Sequence, residues 1–85
     1  MEKTFTVNHP TGIHARPASR IVEAAARYSC DIHLIKNGVR YNARSLVKMI
    51  AIGAGFGDDI VVSAEGNQAP SAIEAIGAIL TGFRS

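Results

Sequence analysis

Phe5 and Val7 alternate with Thr4, Thr6 and Asn8, and an apolar residue at every second position marks a strand with one face buried and the other in water. The alternation predicts a first strand from Lys3 to Asn8. His9-Pro10-Thr11-Gly12 interrupts it with a cluster of breakers. From Arg16 to Tyr28 the period changes: Ala18, Ile21, Val22, Ala25 and Tyr28 recur at three- and four-residue spacing, the apolar stripe of an amphipathic helix. Pro17 falls in its first turn, where a missing N–H is not needed. Ile32 and Leu34 alternate with Asp31 and His33, and Asn37-Gly38 supplies the positive φ angles of a two-residue hairpin turn before Val39-Arg40-Tyr41. Strands two and three follow.

Ser45 can cap a short helix that carries Leu46, Met49 and Ile50 and stops at Gly53, although Lys48 denies it the acidic partner of a capping box. Gly55, Gly57 and Asp58-Asp59 read as a turn before the β-branched run Ile60-Val61-Val62-Ser63, a buried strand four. Gly66-Asn67-Gln68-Ala69-Pro70 opens a last helix whose Ala72, Ile73, Ile76, Ile79, Leu80 and Phe83 form one wide apolar stripe. The order βαββαβα predicts an α+β fold, an open-faced β-sandwich of a four-stranded antiparallel sheet with three helices on one face.

A chain of 85 residues is expected to form one domain over residues 1–85, which excludes a nucleotide-binding sheet with a separate substrate domain. Ordering such a chain opposes folding by on the order of 100 kcal/mol, so the apolar 47% must go into a single core. Little remains for a deep cavity. Cys30 is the only cysteine, so no internal disulfide forms and the reading is a fold held by packing in a reducing compartment, the cytoplasm. The formal net charge of +2 is a weak global field. No apolar run approaches the roughly 18 residues of a membrane span, and no signal peptide is read at the start, so membrane insertion is not expected.

Three histidines, His9, His14 and His33, are candidates for chemistry. His33 lies on the polar phase of strand two and reads as solvent-facing. A metal site on His9 and His14 lacks a Cys, Asp or Glu within several residues of either, so none is expected. His14 differs by its place after a breaker loop and before a helix, where free backbone N–H groups and the positive end of the dipole favour an anion. Arg16 adds a planar fork suited to phosphate oxygens, and Pro17 pre-forms the turn. A neutral imidazole is a nucleophile near pH 7. Gly12-Ile13-His14-Ala15-Arg16-Pro17-Ala18 thus describes a side chain able to accept a phosphoryl group over a ready anion site; the plainer alternative is a loop histidine beside an arginine at an ordinary helix cap. No glycine-rich loop followed by lysine, acidic metal cluster or nucleotide pocket is visible. No cofactor or direct nucleic-acid partner is therefore expected, and donor and acceptor would be other proteins.

The segment Gly12 to Ala18, together with Asn37-Gly38, Ala43-Arg44-Ser45-Leu46 and Asp59-Ile60-Val61-Val62-Ser63-Ala64-Glu65-Gly66, strongly resembles the HPr family, the histidine-containing phosphocarriers of the phosphoenolpyruvate-dependent sugar phosphotransferase system. The likeness covers nearly the whole chain. It implies that His14 is the histidine phosphorylated on Nδ1, with Arg16 as its partner, and that the phosphoryl group comes from enzyme I and passes to IIA domains of sugar permeases. It also implies that Ser45 matches a regulatory serine, phosphorylated in low-GC Gram-positive relatives by a kinase/phosphorylase and there used as a corepressor signal for a catabolite-control transcription factor. Relatives that keep the serine and lack the histidine serve regulation only, whereas this chain has both. Arg44 stands where the family often has lysine, and Arg20 adds a charge beside the active centre.

Partners are expected on the starts of helices one and two. Arg16, Arg20 and Arg27 fall on one stripe of helix one, and Arg44 and Lys48 flank helix two. Leu46, Val47 and Ile50 either supply an apolar patch among these cations or turn in part to the core. Acidic partners and salt-sensitive association follow from such a surface, and transient docking of this kind needs only a monomer. The plain alternative is a solvated basic face.

Overall fold

The computed structural model describes residues 1–82. Phe83, placed by its periodicity on the last apolar stripe, lies outside the described residues. The elements are β1 (Glu2–Thr6), α1 (Ala15–Ala26), β2 (Asp31–Lys36), β3 (Val39–Asn42), α2 (Leu46–Ala51), β4 (Asp59–Glu65) and α3 (Ala69–Leu80). The order is βαββαβα, and the strands form one antiparallel sheet in the spatial order β1-β4-β2-β3. Both long central strands are thus non-neighbours in sequence. α1 packs against α3 and α2, and α3 against β4 and β1.

Pairing register explains which strand residues enter the core. Phe5 faces Ile60, Val62 lies between Lys3 and Leu34, and Ala64 faces Ile32; directly opposed residues share a face of the sheet. Ile32, Leu34, Ile60 and Val62 meet Ile21 of α1, Met49 of α2 and Ile73, Ile76 and Leu80 of α3, all fully buried. Each such side chain stabilises the fold by about 1.5–3 kcal/mol on burial. Phe5 lies directly over Gly77, where any side chain would overlap its ring. The opposite face, carrying Thr4, Val61, Ile35 and Arg40 in one cross-strand row, bears no helix.

Local chemistry accounts for the turns. Asn37 at φ 52° and Gly38 at φ 80° make the tight turn between β2 and β3. Ser45 caps α2, its Oγ accepting the Lys48 amide at 3.2 Å. Element ends differ from the periodicity by one or two residues for identifiable reasons. Val7 is buried but leaves β1, because its N–H donates to the Asp58 carbonyl and its carbonyl accepts the Gly57 N–H, both at 2.9 Å. α1 closes at Ala26 in tighter bonds from the amides of Arg27 and Tyr28 to the carbonyls of Ala24 and Ala25. β4 extends to Asp59 and Glu65 because Thr6 and Asp31 pair with them.

Candidate functional site

His14 is the residue immediately before α1, with an extended backbone (φ −95°, ψ −164°), and its side chain makes no capping bond. It is exposed. Its carbonyl accepts the Ala18 amide at 3.0 Å, which starts the helix. Pro17, buried in the first turn, has no N–H, so the amides of Ala15 and Arg16 are the ones left pointing out of the helix end. No acidic residue lies in that turn. His14, Arg16, Pro17, Arg20 and His9 line a shallow depression of about 120 Å³. It joins a nucleophilic ring, two guanidinium groups and the positive end of a 12-residue helix, a place suited to a small anion attached to the ring.

The loop that presents His14 is clamped from the other side of the fold. Gly12 adopts φ +76°, and a Cβ there would come within 2.7 Å of the Ala54 carbonyl oxygen, so both its conformation and its contact demand glycine. Ile13 donates its amide to that same carbonyl at 2.8 Å. The segment carrying Ala54 is in turn held by Asp58, whose Oδ2 accepts the Gly55 amide at 2.8 Å and meets Lys36 Nζ at 3.1 Å. Lys36 also donates to the Gly53 carbonyl at 2.8 Å. The Gly55 amide foremost, and Lys36 after it, hold the Asp58 carboxyl below the usual carboxylate range. Folding therefore favours the ionised carboxylate. Its contribution is complete above the unfolded value of about 4 and is lost as pH falls through the lower folded value. We expect Asp58→Asn to melt below the parent at pH 7, with the gap narrowing as both are titrated toward pH 2. A constant gap across that range in thermal melts would contradict the assignment.

The other expected residues fall into two groups. Leu46, Val47 and Ile50 are all exposed, Val47 at 74%, while Met49 turns fully inward, so the apolar patch on α2 faces solvent. Lys48 sits among them, exposed. Arg27 lies at the end of α1, also exposed, and with Arg20, Glu23, Ala24, Ala75, Ala78 and Ile79 it borders a second groove between α1 and α3. Arg44 has a structural engagement: its guanidinium donates to the Tyr28 carbonyl, bridging to the end of α1. His33 is half-buried on the helix-free sheet face, where its Nδ1 accepts from Arg40 at 3.3 Å.

His9 and Phe56 were not legible as parts of this region. His9 is 5% exposed, and its Nε2–H donates to the Ile79 carbonyl at 2.6 Å, which fixes the ring as one wall of the His14 depression. A histidine in a Pro-Gly breaker run carries no periodicity that would announce burial. Phe56 is 63% exposed, two residues beyond the carbonyl that holds Ile13. A lone phenylalanine between Gly55 and Gly57 was the available signal, since a glycine on each side marks a turn and not a helix or strand that would carry the ring into the core.

The site can be set beside known proteins. The family model described as "PTS HPr component phosphorylation site" matches residues 1–81. This chain belongs to the HPr family. Membership gives its general role, a phosphocarrier of the phosphotransferase system and not a catalytic enzyme. HPr from Bacillus anthracis is 34% identical, with 94% of this chain and 95% of that one covered at a TM-score of 0.88. HPr from Thermoanaerobacter tengcongensis is 32% identical over 96% of each chain, also at 0.88. The Bacillus subtilis catabolite repression protein Crh, described as a domain-swapped dimer, is 30% identical over 89% of this chain and 87% of its own at 0.77. The HPr architecture is the one found here, down to the order βαββαβα. Among the described residues no helix is long and apolar enough to cross a membrane, and no group of three or more His, Cys, Asp or Glu is placed to hold a metal ion.

Proposed function

We propose that His14 accepts a phosphoryl group from phospho-enzyme I and passes it to IIA domains of sugar permeases. The observation that carries this reading is the exposed His14 ring, free of hydrogen bonds to the described residues, beside Arg16 at an acid-free helix start. In the forward step the neutral imidazole, with its proton on Nε2, attacks phosphorus through Nδ1. The N–P bond forms as the bond from phosphorus to the donor breaks, its electron pair leaving on the donor atom. No base is needed to remove a proton from the nucleophile. Arg16 and the Ala15 and Arg16 amides balance the charge on the moving phosphoryl oxygens, an effect greatest in the transition state. Transfer to the acceptor reverses these bonds.

Partners dock on the exposed patch of Leu46, Val47 and Ile50 together with the exposed cations Arg16, Arg20, Arg27 and Lys48, a surface suited to partners that are both acidic and apolar. Phe56, beside the His14 loop, extends its apolar part. Ser45, at the start of α2, is the regulatory phosphorylation site in this reading, with a serine kinase/phosphorylase and a catabolite-control transcription factor as its partners. A second reading, a purely regulatory protein acting through Ser45 as a corepressor, draws support from the similarity to Crh. Incubation with enzyme I and labelled phosphoenolpyruvate separates the two: acid-labile label on His14 is expected, and none at all would leave only the regulatory reading.

A further inference from the structure

We propose that Arg20 is a second phosphoryl-holding side chain, which joins Arg16 in holding the phosphoryl group on His14. The inference rests on the phosphocarrier reading and assigns Arg20 to the phosphoryl group itself, beyond a place on the docking surface. Arg20 lines the same depression as His14 and Arg16. It follows Arg16 by four residues on α1, the spacing that puts two side chains on one face of a helix. The remaining walls, Pro17 and His9, do not supply a cation that moves in, because proline carries no charge and the His9 ring is tied to Ile79.

What the charges are doing elsewhere sharpens the case. Lys3 pairs with Glu74, Lys36 with Asp58, Arg40 with His33 and Arg44 with the Tyr28 carbonyl. Arg20 makes no such bond to the described residues, and no carboxylate lines the depression it borders. Glu23, one turn further on, borders the neighbouring groove and forms no ion pair with it. A guanidinium beside a nucleophile, with no partner among the described residues, is ready for an anion that arrives there. A phosphoryl group offers three oxygens. One arginine fork spans two of them, so the third is open to a second donor.

The test uses the whole protein phosphorylated chemically with phosphoramidate, so that no partner protein enters the measurement, and follows the phosphohistidine resonance by ³¹P NMR as pH is varied. The His14→Ala protein identifies the His14 signal. A nearby cation favours the deprotonated, more negative form of phosphohistidine, so Arg20→Gln is expected to raise its titration midpoint by a few tenths of a pH unit, the scale of an exposed ion pair. Arg20→Lys is expected to restore most of the parental midpoint. Arg27→Gln, with the same change in net charge two turns away, is expected to leave it in place. An unmoved midpoint in Arg20→Gln, or an equal rise in Arg27→Gln, overturns the proposal. Lack of any His14 phosphohistidine in the parent would instead overturn the phosphocarrier reading beneath it.

Discussion

His14→Ala is expected to abolish acceptance of acid-labile phosphate from enzyme I and to leave the melting temperature within about 4 °C of the parent. The first half follows because the His14 ring is the only nucleophile in the depression that is both exposed and unbonded among the described residues; His9 is buried against Ile79. The second half follows from what the ring does not do. It is exposed and makes no capping bond to α1, and substitutions at such positions fall within about 0.5 kcal/mol, which for a domain of this size corresponds to a few degrees. Arg16→Ala in the same assay is expected to keep the fold and slow transfer by about a hundredfold, the usual cost of removing one donor aimed at developing charge. Undiminished label in the alanine protein at position 14 would place the acceptor elsewhere. Loss of label together with loss of the folded baseline in circular dichroism would mean that His14 is structural.

Ser45→Asp is expected to retain parental stability yet to lower the rate of His14 phosphorylation by enzyme I by about ten- to a hundredfold. Aspartate caps a helix about as well as serine, and its charge lies at the positive end of α2. The penalty arises at the surface. Ser45 is half-buried next to Leu46, Val47 and Ile50, all exposed, so a carboxylate there adds a charge that must be desolvated on docking and that repels an acidic partner, a cost of a few kcal/mol. A phosphate would do so more strongly, bringing nearly two negative charges. Ser45→Ala is the control. Losing the 3.2 Å bond to the Lys48 amide is expected to cost about 1 kcal/mol, or about 4–8 °C in melting temperature, with transfer close to parental. A phosphorylation rate in Ser45→Asp equal to the parent's would remove Ser45 as a switch on the carrier, whatever its stability.

Features written in a few neighbouring residues were legible in the chain. The positive φ angles of Asn37 and Gly38, the Ser45 cap and Pro17 in the first turn of α1 each depend on the backbone demands of one turn, so a short stretch of sequence specifies them. The same holds for His14 and Arg16, whose spacing across a helix start brings them to one place without help from the rest of the fold. Periodicity also picked out the core of α3, where Ala72, Ile73, Ile76, Ile79 and Leu80 are buried. On α2 it could not choose. Leu46, Val47, Met49 and Ile50 put apolar groups on more than one side of a six-residue helix, and only its packing against α1 and β3 turned Met49 inward and left the others out.

Every further decision rested on residues far apart in the chain. The strand order β1-β4-β2-β3 sets β4 between β1 and β2, and from that follow its full length and the approach of residues 54–58 to Val7, Gly12 and Ile13. The sequence by itself determined that a histidine, an arginine and a helix start come together, because these demands are met within a few residues. Tertiary structure alone decided that Ala54 clamps the His14 loop, that the Ile79 carbonyl fixes His9 as a wall of the site, that Arg44 is occupied at Tyr28 and that Arg20 has no such partner among the described residues. Those outcomes depend on which distant carbonyl or carboxylate the fold carries to within about 3 Å of each group, the range of a hydrogen bond, and local pattern holds no record of that distance.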